Sequence, residues 1–170
     1  GTLPLGIGAL SRLQRMSVHQ HCRLNGTIPD SIGNLTKLRH LHLGGCNFTK
    51  DIPDSIGNLG QLYDLDISGN KLTGRIPATI TRLTRLKSLL LHSNNLFGKL
   101  PEGFTQLKNM KFLSLPSEVN VSSENSIDGL CRPVFEHVHT DSFYSKCCCL
   151  DACSEESFIS INISNMFTRF

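Results

Sequence analysis

The chain has 170 residues, of which 39% are hydrophobic and 18% are charged, so its length and composition suit one folded domain with a buried core. Its net charge of +3 is too small, and its Lys and Arg residues are too evenly spread, to indicate a nucleic-acid partner. No apolar run approaches the roughly 18 to 20 residues that cross a bilayer, so we predict no transmembrane segment in this chain.

The chain begins inside a pattern that recurs later. Residues 1–9 match the second half of the later units without a first half, and the first residue is Gly rather than Met. We therefore predict a processed or truncated chain, with any signal peptide or membrane anchor outside it.

A unit of 24 residues then repeats along the chain. Its Ile-Pro or Leu-Pro pair recurs at Pro29, Pro53, Pro77 and Pro101, and a fixed period of this length is typical of a solenoid. Each unit also contains an LxL pair, whose two apolar residues lie on one face of a short strand. We expect the strands of successive units to stack in parallel around a shared leucine interior.

Each strand is followed by a turn that leaves backbone polar groups inside the coil. We predict that Asn70 and Asn94 bind those groups, because an unpaired buried polar group costs about 1 to 3 kcal/mol. Cys22 and Cys46 take this place in earlier units. Since side chains stacked in register point in parallel, we interpret both as buried free thiols. The segments after each proline are expected to be short turns or single helical turns.

The pattern LxxLxLxxNxLxGxIPxxIGxL resembles the plant-type leucine-rich repeat, and the match covers residues 1–115. The resemblance implies an α/β repeat solenoid, formed by a right-handed coil with a parallel concave β-sheet. It also implies a non-enzymatic module that binds a protein or peptide on the concave face, similar to ectodomains of receptor-like proteins and to secreted proteins of plants and microalgae. The alternative is a structural scaffold subunit docked permanently in a larger assembly, at a membrane or elsewhere.

The repeat loses its register after Leu115. We divide the chain into about five leucine-rich repeats over residues 1–115, an irregular Cys-rich C-terminal cap over 116–156, and a terminal strand or disordered tail over 157–170.

The predicted cap is rich in cysteines, and their spacing does not decide how they pair. A zinc site built from His137, His139 and these cysteines is the alternative, although CxxC pairs, which are usual in such sites, are absent. The disulfide candidates are Cys131, Cys147, Cys148, Cys149 and Cys153.

Seven cysteines in 170 residues exceed what a cytosolic protein usually carries, and they indicate an oxidising compartment. Five Asn-x-Ser/Thr sequons suit a secreted glycoprotein. We therefore predict an extracellular or other secretory-type location, with any membrane tether in a segment outside this chain. The glycosylation candidates are Asn25, Asn34, Asn47, Asn120 and Asn162.

The residues that alternate with the buried leucines should form columns on the concave face. His40 is expected beside Asp64, and His42 beside Asp66. These four residues could hold a metal, but we favour exposed ion pairs in which each carboxylate stabilises the protonated form of an imidazole. We predict no cofactor, no metal and no catalytic residue, because an open sheet offers no enclosed pocket. The candidate ligand-binding residues are Arg39, His40, His42, Tyr63, Asp64, Asp66, Lys87, Leu90, His92, Lys111 and Phe112.

Overall fold

The computed structural model describes residues 1–18 and 23–120, together with the backbone of one strand at His137–Thr140. The described residues form stacked coils, and each coil contains a strand, a turn and a helical segment. The predicted solenoid of parallel strands is thereby confirmed, whereas its right-handed sense stays a prediction. The strands in chain order are β1 (Arg15–Ser17), β2 (Asn25–Gly26), β3 (His40–His42), β4 (Asn47–Asp51), β5 (Asp64–Asp66), β6 (Lys71–Thr73), β7 (Ser88–Leu90), β8 (Gly98–Lys99), β9 (Phe112–Leu115), β10 (Val119–Asn120) and β11 (His137–Thr140).

Among the described strands, six form one parallel sheet in the order β1-β3-β5-β7-β9-β11. Leu41 pairs with Leu65, and Leu65 pairs with Leu89. All three leucines are at most 1% exposed. Because side chains alternate across a strand, this register turns one face of the sheet into a continuous leucine core and leaves the other face for polar residues.

The main sheet extends one strand beyond the repeats that we recognised. Strand β11 pairs with β9, and Val138 lies opposite Leu113. Val138 and Leu113 are 25 residues apart in the sequence. Met16 of β1 and Leu41 of β3, which also pair, are separated by the same interval. The sequence analysis assigned no strand here because the leucine and Ile-Pro positions are missing. The boundaries at 116–156 and 157–170 stay predictions, since most of both segments lies outside the described residues.

A second set of short strands follows the turns, on a different side of the coil. Strands β2, β4 and β6 form a three-stranded parallel sheet, and β8 pairs with β10. We predicted none of these strands from the sequence. Gly74 and Gly98 in this region have φ angles of 76° and 91°, a left-handed backbone that favours glycine.

The helical segments of the described residues are all 3₁₀ helices of one or two turns, in agreement with the predicted single helical turns. Proline precedes four of them in an extended conformation, as at Pro53, where φ is −66° and ψ is 141°. Successive helices stack closely. A Cβ atom added at Gly57 would lie only 2.5 Å from the carbonyl oxygen of Thr79 in the next helix. The 3₁₀ helices are Leu5–Ala9, Asp30–Asn34, Asp54–Asn58, Ala78–Arg82 and Phe104–Gln106.

The prediction that Asn70 and Asn94 bind backbone polar groups of the turns is confirmed. Asn70 is 6% exposed, and its side-chain amide bonds backbone groups of its own coil and of the preceding one. Asn94 repeats the arrangement one coil later, where Oδ1 accepts from the N–H of Leu72 at 3.1 Å and Nδ2 donates to the carbonyl of Ile67 at 2.9 Å. These side chains therefore tie neighbouring coils together at the turn.

The prediction that Cys46 is a free thiol is wrong. Cys46 is 6% exposed, as expected, but it is disulfide-bonded. We had considered only a bond between Cys46 and Cys22, whose side chains were expected to point in parallel. Cys22 itself lies outside the described residues.

Within the part of the chain that the structure describes, none of the helices combines the length and the apolar character needed to cross a bilayer.

Candidate functional site

The face of the main sheet opposite the leucine core carries all the residues predicted to bind a ligand. We call it the outer sheet face. Its cationic side chains are exposed, and the others are half-buried. The outer sheet face is formed by Arg39, His40, His42, Tyr63, Asp64, Asp66, Lys87, Leu90, His92, Lys111 and Phe112.

The columns expected from the repeat are present. His40 pairs with Asp64 across β3 and β5, and Asp64 pairs with Ser88 of β7. In the next column, His42 pairs with Asp66, and Asp66 pairs with Leu90. The parallel register therefore brings together side chains that are one full unit apart in the sequence.

His40 and Asp64 are in contact, as the register predicts. Nδ1 of His40 lies 2.5 Å from Oδ2 of Asp64, and the two side chains are 25% and 34% exposed. The His40 ring also lies beside those of His42 and Tyr63, with centroid distances of 6.3 and 6.4 Å. The pair is thus held within a cluster of rings rather than extended into solvent.

His42 does not behave as predicted. Burial lowers its pKa below the ordinary value of 6.5, and this effect outweighs the attraction of Asp66 and Asp64, which favours the protonated form. Oδ1 of Asp66 accepts hydrogen bonds from both the backbone N–H and the hydroxyl of Ser68, at 3.0 and 2.6 Å. The carboxylate of Asp66 favours the protonated form of His42, as expected, but the expected net rise in the His42 pKa is wrong, because desolvation of the ring is the larger effect.

Sequence reasoning missed Ser68, which fixes the orientation of Asp66. Ser68 is 9% exposed and was not among the candidate ligand-binding residues. The signal was the spacing Asp-x-Ser, since a carboxylate two residues before a hydroxyl commonly closes a local hydrogen-bonded turn.

The basic side of the outer sheet face lies next to an aromatic ring. Nζ of Lys87 lies 5.2 Å from the centroid of the Tyr63 ring, within the range of a cation-π contact. Backbone hydrogen bonds link Arg39, Tyr63, Lys87 and Lys111 in sequence across the sheet. In this column Arg39 and Lys87 therefore flank Tyr63, and Lys111 follows Lys87 on the next strand.

The far end of the outer sheet face is more apolar. Leu90 and Phe112 are half-buried, and Ser114, which pairs with Leu90 across β7 and β9, is 5% exposed. Nδ1 of His92 is buried and has no hydrogen-bond partner among the described residues. His92 follows the end of β7 by two residues and is half-buried.

Two open depressions, with volumes of about 550 and 410 Å³, lie elsewhere on the molecule. Their walls come from the segments around Pro29 and Lys50, and neither includes a residue of the outer sheet face. Both are shallow clefts beside the Ile-Pro segments.

The sequons that the structure describes have exposed asparagines at Asn25, Asn34, Asn47 and Asn120. Asn162 lies outside the described residues, as do the disulfide candidates Cys131, Cys147, Cys148, Cys149 and Cys153. The cysteine assignments in the predicted cap and the glycosylation of the sequons stay predictions.

Known proteins show the same coil. The leucine-rich repeat region family matches residues 13–132. The plant peptide hormone receptor RGFR1, solved with RGF2, is 33% identical with a TM-score of 0.67, over 71% of this chain and 19% of the receptor. The ectodomain of the receptor kinase SOBIR1 from Arabidopsis thaliana is 25% identical with a TM-score of 0.62, over 84% of this chain and 67% of that one.

The Arabidopsis receptor kinase HAESA, solved with the peptide hormone IDA and the co-receptor SERK1, is 27% identical with a TM-score of 0.59, over 68% of this chain and 24% of that chain. The present chain thus spans about a fifth to a quarter of the two peptide hormone receptors. From the family match and the register of its leucines and asparagines, the chain belongs to the plant-type leucine-rich repeat family.

Proposed function

We propose that the outer sheet face binds a protein or peptide ligand, and that the chain is a non-enzymatic recognition module of a receptor-like or secreted protein outside the cell. The observation that carries the proposal is the composition of the face, where exposed cations at Arg39, Lys87 and Lys111 share one surface with the half-buried rings of Tyr63 and Phe112. Aromatic residues and Arg among adaptable polar groups are typical of protein interfaces.

The solved relatives support the same proposal. RGFR1 is described in complex with RGF2, and HAESA with a peptide hormone and a co-receptor. The solenoid fold is typical of binding scaffolds, because stacked repeats present one extended surface. We further propose that this surface is concave, that the coil is right-handed and that the protein acts in a secretory-type compartment with glycans at its exposed sequons.

The charges suggest what kind of ligand fits. Three cations lie in one column with Tyr63, while Asp64 and Asp66 lie in the two columns beside it. An acidic segment of a partner would therefore align with the column of Arg39, Lys87 and Lys111, since charge complementarity sets register and association rate.

A structural scaffold is the second candidate, and three exposed apolar side chains favour it. Leu5, Leu10 and Phe97 are 81%, 52% and 51% exposed, and none of them belongs to the outer sheet face. Large exposed apolar side chains are typical of permanent contacts when they are clustered.

Photo-crosslinking separates the two functions. A photoreactive phenylalanine analogue replaces Phe112 on the outer sheet face in one variant and Phe97 away from it in another, and each glycosylated variant is incubated with the proteins and peptides secreted by the cells that make it. Crosslinks from position 112 and not from position 97 support ligand binding on the outer sheet face. The opposite pattern supports the scaffold and contradicts the proposal.

Charge reversal then tests the mechanism on the captured ligand. The double variant Lys87→Glu/Lys111→Glu should weaken binding by at least about tenfold, because it places like charges opposite an acidic ligand. The matched control Lys71→Glu/Lys99→Glu reverses two exposed lysines of the second set of strands, β6 and β8. Equal losses in both double variants would show that the effect is one of net charge and would contradict a specific site.

A further inference from the structure

Three metal-binding side chains converge on the outer sheet face. His40 and His42 flank the buried Leu41 on β3, so both rings leave the strand on the face opposite the leucine core. Asp64 lies opposite His40 on β5. One potential ligand atom from each of the three residues lies within 4.8 Å of the other two.

We propose that His40, His42 and Asp64 bind one Zn²⁺ ion on the outer sheet face, with its remaining coordination position open to water or to a donor atom of a bound partner. Two imidazole nitrogens and one carboxylate oxygen are a donor set that Zn²⁺ accepts in tetrahedral sites with one open position. The same set disfavours Ca²⁺ and Mg²⁺, which prefer oxygen ligands alone.

The distances require only side-chain movement. Ligand atoms around a tetrahedral Zn²⁺ lie about 3.3 Å apart, given bond lengths near 2.0 to 2.1 Å. Nδ1 of His40 and Oδ2 of Asp64 are now 2.5 Å apart and share a hydrogen bond, so the ion would replace the shared proton and separate these atoms slightly. The outer atoms of the cluster would approach each other by up to about 1.5 Å, which rotation of partly exposed side chains allows.

The surroundings hold the three ligands in place and supply charge. The His40 ring is in edge contact with His42 and lies against Tyr63. Asp66 is held by Ser68 and is not a member of the cluster, but its carboxylate lies opposite His42 and adds negative charge beside the ion. Arg15 of β1 pairs with His40 from the side opposite β5, and its positive charge disfavours a bound cation. Backbone register therefore positions the site before metal arrives, because all three ligands lie on paired strands rather than on loops.

This inference does not depend on the peptide-binding proposal. The four potential ligands seen in the sequence had been interpreted as two exposed ion pairs. The structure changes that interpretation, since potential ligand atoms of both histidines and of Asp64 lie within 4.8 Å of one another, while Oδ1 of Asp66 accepts hydrogen bonds from Ser68.

The test uses the full chain after removal of metal with a chelator. Zn²⁺ is titrated calorimetrically, and Co²⁺ is used as a spectroscopic substitute, whose visible absorption reports tetrahedral nitrogen and oxygen ligands. We expect one strong site that excess Ca²⁺ and Mg²⁺ leave unaffected. His40→Ala, His42→Ala and Asp64→Asn should each weaken it by at least about tenfold. The matched control His92→Ala removes a histidine of the same face outside the cluster and should bind as the wild type does.

A second measurement keeps the test decisive if a variant unfolds. In the wild-type protein, the imidazole resonances of His40 and His42 should shift together on addition of Zn²⁺, while that of His92 should not. The proposal would be overturned if Zn²⁺ binding survived both histidine substitutions, or if Zn²⁺ shifted the resonances of neither His40 nor His42. Any bound metal would then be expected in the predicted Cys-rich cap.

Discussion

Oδ1 of Asn70 accepts a hydrogen bond from the backbone N–H of Phe48 at 3.0 Å, and this bond joins two successive coils. The side-chain amide nitrogen donates to the carbonyl oxygens of Leu43, Ile67 and Ser68 at 2.9 to 3.1 Å. Asn70→Ala would leave these backbone groups without a side-chain partner in a turn that is nearly closed to water. We expect the free energy of unfolding to fall by about 2 to 4 kcal/mol, measured by urea denaturation.

Asn95→Ala is the matched control for this prediction. Asn95 lies next to the equivalent Asn94 but is exposed, so its loss should change the free energy of unfolding by less than about 0.5 kcal/mol. Equal effects of the two substitutions would show that Asn70 does not hold the coils together.

Gly57 permits the close stacking of two 3₁₀ helices. A Cβ atom at this position would lie 2.5 Å from both the carbonyl oxygen and the Cβ atom of Thr79, so the neighbouring coil would have to move. We expect Gly57→Ala to lower the free energy of unfolding by about 1 to 3 kcal/mol, as overpacking does in cores. At Gly60 an added Cβ atom would meet no atom within 4 Å, and Gly60→Ala should be nearly neutral. Thermal unfolding of both variants makes the comparison, and a neutral Gly57→Ala would contradict the packing argument.

His42 should make stability depend on pH. Burial lowers its pKa below 6.5 in the folded chain, so the unfolded chain binds a proton more readily than the folded one does. The folded state is therefore most stable, as far as His42 is concerned, above pH 6.5. This part of the free energy of unfolding is lost as the pH falls from 6.5 through the lower pKa of His42 in the folded chain. We expect urea denaturation in the presence of a chelator to show a decline in the free energy of unfolding over this range.

His42→Gln should remove that decline, and His92→Gln should retain it. The chelator ensures that metal binding does not contribute to the result. If the wild type and His42→Gln show the same pH dependence, another group causes it.

Cys46 should be absent from the pool of free thiols. Since it is disulfide-bonded and the chain has seven cysteines, thiol titration under denaturing, non-reducing conditions should detect at most five. Cys46→Ser should lower the free energy of unfolding by about 2 to 5 kcal/mol, as loss of a native disulfide typically does. Seven free thiols would contradict both the bond and the oxidising compartment.

Much of the fold follows from spacing alone. Leu41, Leu65 and Leu89 recur at a constant interval and fill equivalent strand positions, so their contact across the sheet could be predicted without coordinates. The same register predicted that His40 would lie beside Asp64. Strand β11 could not be predicted in this way, because it carries Val138 in place of leucine and lacks the Ile-Pro pair that marks the other coils.

The sequence by itself determined the period of the coil, the buried leucine columns and the membership of the outer sheet face, because each depends only on which residues recur at a constant interval. Tertiary structure alone decided the state of individual side chains: that desolvation outweighs two carboxylates at His42, that Asp66 bonds to Ser68, and that Cys46 is oxidised. These outcomes depend on distances, on the exclusion of water and on contacts between chain segments, none of which a repeat interval specifies.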